Sequence, residues 1–279
     1  MKRLLLVLLM CLTLCAPAWS ANDFNTDPNC VSLYNLESGS LGTDSIGTNT
    51  LNSYGAVADA NLYQEGASSV YFAAGDDYLS RLDIALSGDF PIVLGYANPV
   101  KISVTFWFRI HAVPNATFGS FLVSKWNRHS AFESYSWAMN VRDASGTYYL
   151  RFMKGYDSGN SQENTDYATA VSLDTWYHVG CTYDDSTKAV VIRVWNDTAG
   201  SVSETTATHS NAISLEGVMF MLNAQHYAID NGQNGWLDEV VVFNDILTSD
   251  EIDEIRNGTY GAPTGPIEGN AFQMYYNPN

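Results

Sequence analysis

Lys125-Trp126-Asn127-Arg128-His129, followed by Trp137 and Asn140, gathers in one short span the side-chain types that recognise sugars. Flat rings stack on sugar C–H faces, while amides and cations hydrogen-bond the hydroxyls. Tyr149 and Arg151 alternate with Tyr148, Leu150 and Phe152, so a strand through them turns both toward its non-core face. With His226, and Tyr227 beside it, they complete the expected ligand-binding set: Trp126, Asn127, Arg128, His129, Trp137, Tyr149, Arg151 and His226. The competing assignment for each ring is packing, because most Trp and Tyr side chains in a sandwich fill its core or cover its rim. Trp176 and Trp236 are read as packing residues. His111, His178 and His209 show no partner spacing and read as satisfied surface or core histidines.

Polysaccharide hydrolysis needs two carboxylates on rigid elements, about 5 to 10 Å apart. The nearest run is Glu251-Ile252-Asp253-Glu254. Thr248 with Glu251 three positions on forms a capping box, and Asn257-Gly258 a stop, which predicts a helix from Ser249 to Arg256. At helical spacing Glu251 and Asp253 do not share a face. No HExxH, nucleophile elbow or phosphate-cradling glycine loop occurs. The expectation is a protein that binds and does not catalyse. A structural or adhesive extracellular protein, assembling through sheet edges and its tail, is the alternative; a polysaccharide hydrolase or lyase is the third.

The elements that must hold these residues are short strands. Val104, Phe106, Phe108 and Ile110 alternate with Thr105, Trp107, Arg109 and His111, and Val190, Ile192 and Val194 with Val191, Arg193 and Trp195. Asp143-Ala144-Ser145-Gly146 and Asp184-Asp185-Ser186-Thr187-Lys188 read as hairpin loops between such runs. The 279 residues, 46% hydrophobic and 13% aromatic, suffice for one large sandwich and scarcely for two domains. In Gly235-Trp236-Leu237-Asp238-Glu239-Val240-Val241-Val242-Phe243, an acidic pair sits inside a strand-length apolar run and must find water, a partner or a cation.

Five stretches in order carry a family resemblance: Cys30 to Glu37 with Leu41 to Gly47, Glu65 to Phe72 with Asp76-Asp77-Tyr78-Leu79, Val104 to Arg109, Asp174 to Asp184, and Gly235 to Asn244. Spanning roughly residues 30 to 260, they resemble laminin G-like domains of the concanavalin A-like lectin/glucanase superfamily. The resemblance implies an all-β, two-sheet antiparallel jelly roll with one short C-terminal helix. It also implies a secreted protein, often calcium-bearing, that recognises sugars or proteins. Glucanases of that superfamily carry Glu-x-Asp-x-Glu on a strand; the run at Glu251 lacks the closing Glu, since Ile255 and Arg256 follow.

Calcium would want several oxygens. Asp44 in the first loop and Asp238 on the closing strand are the best candidate pair, because first and last strands of jelly rolls are often neighbours; Asn49, Asp76 and Asp77 are further donors. The alternative is that these acids solvate turns, and no EF-hand spacing occurs.

Lys2 and Arg3, an apolar run from Leu4 to Cys15, and Ala16 to Ala21 read as a secretory signal over residues 1–20. The expected binding domain follows over 21–262, then a tail over 263–279. Phe272, Met274, Tyr275 and Tyr276 make that tail apolar enough to pack on the domain or on a second chain, a route to self-association. The formal charge of −17 disfavours nucleic acid and anionic membranes, leaving a glycan or an extracellular protein as partner, and no transmembrane segment is expected. Outside the signal remain Cys30 and Cys181, which either form a disulfide or stay as buried thiols. Asn115, Asn196 and Asn257 begin Asn-x-Thr acceptor sequences.

Overall fold

The computed structural model describes residues 22–96, 99–113, 119–127, 133–226 and 231–261. Its strands are β1 (Cys30–Tyr34), β2 (Asn52–Tyr54), β3 (Val57–Asp59), β4 (Ser69–Phe72), β5 (Tyr78–Arg81), β6 (Lys101–Ala112), β7 (Ser120–Asn127), β8 (Ser134–Asp143), β9 (Tyr148–Tyr156), β10 (Ser161–Asp166), β11 (Trp176–Asp184), β12 (Ala189–Asn196), β13 (Ser201–Thr208), β14 (Phe220–Leu222) and β15 (Asn234–Phe243). They form two antiparallel sheets, one ordered β13-β12-β11-β6-β15-β4-β3 with β1 also on β15, the other β10-β9-β8-β7-β14-β5-β2. This is the expected jelly-roll sandwich.

The period-2 pattern decides which side chains enter the core. Val104, Phe106, Phe108 and Ile110 meet Leu150, Phe152, Val190, Ile192 and Val194 between the sheets, as their alternation predicts. Their partners Thr105, Trp107, Arg109 and Trp195 face outward on the first sheet. There Trp107, Trp176 and Trp236 form a layer with Tyr71, Trp195 and Leu62. The two tryptophans read as packing residues are therefore packed, each 8% exposed, on the outer face and not in the core.

Helix α1 (Ser249–Arg256) occupies the predicted span. Thr248 Oγ1 accepts from Glu251 N, and Glu251 Oε2 accepts from Thr248 N at 2.7 Å, which closes the capping box. Ile252 and Ile255 bury against Phe24, Leu33, Val241 and Phe243 outside the first sheet. Gly180 makes this docking close: a Cβ there would lie 2.4 Å from Ile252 Cγ2. Asp253 pairs with Arg193 and with Arg256, and the Arg193 pair anchors the helix to β12. The hairpin at Asp143 closes with Ser145 and Gly146 at φ 58° and 86°.

The disulfide expectation is overturned. Cys30 and Cys181 are free thiols. Cys30 pairs with Phe243 on β15, Phe243 with Ser103 on β6, and Cys181 with Val104 on β6. Three strand spacings of about 4.8 Å separate their strands, far beyond the Cα separation of about 4.4–6.8 Å that a bridge spans. They also lie on opposite faces, Cys181 in the main core and Cys30 against the α1 cluster.

Candidate ligand-binding site

Strand β7 carries Trp126 and Asn127, β8 carries Trp137, and β9 carries Tyr149 and Arg151. The expected shared aromatic surface is not what the fold builds. Trp137 points between the sheets, fully buried, with its ring centroid 6.2 Å from Phe220. Trp126 points to the other face yet is also fully buried: its ring stacks on Tyr135 at 4.3 Å and packs with Phe121, Ala138 and Met153. A register shift between Lys125 and Trp126 breaks the period-2 rule here. Trp126, Asn127 and His226 are neighbours nonetheless. Asn127 and His226 form a parallel bridge, and His226 N–H donates to the Trp126 carbonyl at 2.9 Å. Asn127 is buried, and burial of the half-buried His226 holds its imidazole below the ordinary range. Arg128, His129 and Tyr227 lie outside the described residues.

Two of the expected residues keep their outward aim. Tyr149 sits opposite Arg142 on β8, and Arg151 sits opposite Asp166 on β10. The Arg142 guanidinium lies 5.5 Å from the centre of the Tyr149 ring. Arg151 holds Asp166 with two bonds, Nε at 2.5 Å and Nη2 at 3.1 Å, while Arg142 Nη2 reaches it at 3.2 Å. Burial pushes the Asp166 carboxyl upward, but hydrogen bonding and charge from Arg151, then Arg142, hold it below the ordinary range. Side-chain exposures of 35% for Arg142, 21% for Arg151 and 33% for Asp166 leave the strip open to a ligand. It is a half-open ring beside a planar, charge-fixed donor and acceptor set.

A second arrangement is electrostatic. Asp238 and Glu239 lie within β15 where its register against β6 slips between Asp238 and Val241, with Glu239 at φ 48°. Asp238 is fully buried; its Oδ2 accepts the N–H groups of Gln64 and Glu65 at 2.8 and 3.0 Å, and its Oδ1 has no partner among the described residues. Glu239 takes a bond from Asn35 and lines a cavity of about 230 Å³ with Asn35, Glu37 and Glu65. Burial, with the neighbouring Glu65 and Glu37, raises Asp238 to about 7; burial, then Asp238 and Glu65, raises Glu239 to about 8. The sequence marked this pair as needing a partner, but not Glu37 and Glu65, which arrive from other loops.

The two carboxylates expected to share calcium, Asp44 and Asp238, each accept N–H groups from a different loop. Asp44 is a turn-former: its Oδ1 accepts from Leu33, Ile46 and Gly47, and its Oδ2 from Asn49. Four N–H donors aimed at one carboxylate make a poor surround for a cation. Asn49 is engaged by Val31, Ser32 and Ser87, and Asp77 caps Ala73 and Ala74. Among the described residues, no three acidic, His or Cys side chains are grouped to hold a metal ion.

With this geometry in place, the comparisons are specific about family. The model of the concanavalin A-like lectin/glucanases superfamily, laminin G type, matches residues 89–253. The chain belongs to that superfamily. The binding domain of Paraclostridial Mosquitocidal Protein 1 superposes with a TM-score of 0.57 and 13% identity, over 82% of this chain and 52% of that one. The binding domain of botulinum neurotoxin serotype D/C VPI 5993 gives 0.53 and 13%, over 84% and 53%. The chain thus spans about half the length of these toxin binding domains, and at such identity they share its fold. No curated protein matches it in sequence. No helix of the described residues is long and apolar enough to cross a membrane.

Proposed function

We propose that this protein is a non-catalytic carbohydrate-binding domain that works outside the cell, seating its sugar on Tyr149 with hydroxyls held by Arg142, Arg151 and Asp166. The observation that carries the reading is the half-open Tyr149 ring beside guanidinium groups already fixed by Asp166. Such a site loses little side-chain entropy when a ligand docks. The superfamily, named for lectins and glucanases, supports it, as do two solved relatives that are binding domains by name. The signal-like residues 1–20 support export.

A glycan array probed with the purified protein tests the proposal, with Tyr149→Ala and Arg151→Ala as paired variants. Tyr149→Ala should bind about two- to twelvefold more weakly, since ring contacts contribute about 0.5–1.5 kcal/mol, and Arg151→Ala should weaken binding as well, with both variants still folding cooperatively. Wild-type protein that retains no glycan at millimolar concentration removes the reading. The acidic cavity favours the hydrolase alternative in one respect: raised carboxyls are what a general acid needs. Reducing-sugar release from a polysaccharide panel, abolished in Glu239→Gln, would establish that alternative.

A further inference from the structure

We infer that two copies of this chain pair through strand β13, antiparallel about Thr205, to join their eight-stranded sheets into one. The outer edges of the sandwich are not equivalent: β1, which pairs only with β15, is covered on its other side by the Asp44 loop, where Ser45 N–H donates to the Leu33 carbonyl and Asp44 Oδ1 accepts the Leu33 N–H. Strands β2 and β3 have 3 residues each, too short to template a partner. Strand β10 carries Glu163 and Asp166, both engaged in salt bridges. Strand β13 has 8 residues, SVSETTAT, paired with β12 at every position without a bulge, and its other side pairs with no described strand. It holds no proline or lysine and a single charge, Glu204. None of the usual devices that blunt an edge is present apart from that one residue.

Register follows from the backbone. His209 N–H donates to the Lys188 carbonyl, one step beyond the Ala189–Thr208 pair. Antiparallel alternation then turns the N–H and C=O groups of Ser203, Thr205 and Ala207 toward β12. Those of Val202, Glu204, Thr206 and Thr208 point away from it. A second copy related by a two-fold axis through Thr205 sets Val202 opposite Thr208 and Glu204 opposite Thr206. All four outward-facing residues of each copy then exchange main-chain hydrogen bonds. Centring the axis on Glu204 instead apposes two carboxylates and leaves Thr208 unused. Centring it on Thr206 leaves Val202 unused. The Thr205 register alone uses the whole edge with no like charges opposed. Partly exposed Val202, at 39%, would lie against the methyl of the facing Thr208.

Light scattering on the purified protein should show a dimer whose population rises with concentration and with added salt, which screens the repulsion between two chains of charge −17. Thr205→Cys should give a covalent dimer on mild oxidation, because like residues at a non-hydrogen-bonded pair bring their Cβ atoms together; Glu204→Cys should not. Thr206→Pro removes only an outward N–H, so it should yield a monomer whose thermal midpoint matches that of the wild type at dilutions where the wild type is also monomeric. A wild-type monomer at every concentration up to the solubility limit overturns the inference. So does a dimer that survives Thr206→Pro, or oxidative cross-linking that is more efficient in Glu204→Cys than in Thr205→Cys.

Discussion

Tyr149 and Trp137 stand 12 positions apart in the sequence and carry opposite duties. Trp137→Ala should destabilise the fold by about 3–5 kcal/mol, the range for emptying a packed core site of a large ring, measurable by denaturant unfolding. Tyr149→Ala should change stability by about 0.5–1 kcal/mol at most, because its half-buried ring leaves no cavity. A severe loss from Tyr149→Ala, or a mild one from Trp137→Ala, would reverse the assignment of ring to core and ring to ligand. Alternation placed Tyr149 and Arg151 on the outward face, as found, since β9 runs without interruption past them. Trp126 and Trp137, chosen by type, went to packing for different reasons: Trp137 shares the inward face of β8 with Met139 and Val141, while Trp126 follows a bulge and lies under a second apolar layer of Phe121, Ala138 and Met153. Residue type alone did not separate a platform from a filler.

Strands and helix were legible wherever local chemistry decides. The capping box at Thr248, the stop at Gly258 and the hairpin at Asp143 each satisfy their own backbone groups, so their sequence signals survive folding unaltered. Thr248→Ala should accordingly cost about 1 kcal/mol, read as a fall in thermal midpoint with no loss of glycan binding. What stayed hidden was contact between elements. Gly155 on β9 shows why: a Cβ there would lie 1.9 Å from the Tyr135 carbonyl oxygen, so Gly155→Ala should destabilise by about 2 kcal/mol or more. A stability within about 0.5 kcal/mol of wild type would mean the β8–β9 pair is looser than its register indicates. The glycine's spacing in the sequence gave no hint of this, because the clash is with a residue 20 positions away.

The molecule as a whole should respond to pH through its acidic cavity. Asp238 and Glu239 keep their protons when folded, to about 7 and about 8, but release them near ordinary carboxyl values when unfolded. Folding therefore takes up protons: the stabilisation is complete below the unfolded values and is lost as pH rises through the folded ones. His178 has the opposite sense. Burial, then Arg256, lowers it to about 3, so its contribution is present above about 6.5 and fades on acidification. In chelator-containing buffer the thermal midpoint should decline between about pH 6 and about pH 9, and Asp238→Asn should flatten that decline while keeping an acceptor for Gln64 and Glu65. A wild-type midpoint that is level across this window would show that the cavity is hydrated and its carboxyls ordinary.

Because Cys30 and Cys181 never meet, nothing covalent ties the described layers together. Burial pushes both thiols far up, so neither offers a ready nucleophile to an oxidant. The chain should regain its native state from denaturant equally well with dithiothreitol or with glutathione disulfide present. Its recovery would then owe nothing to oxidative folding machinery, because a two-sheet core of this size needs no crosslink to outweigh the chain's entropy.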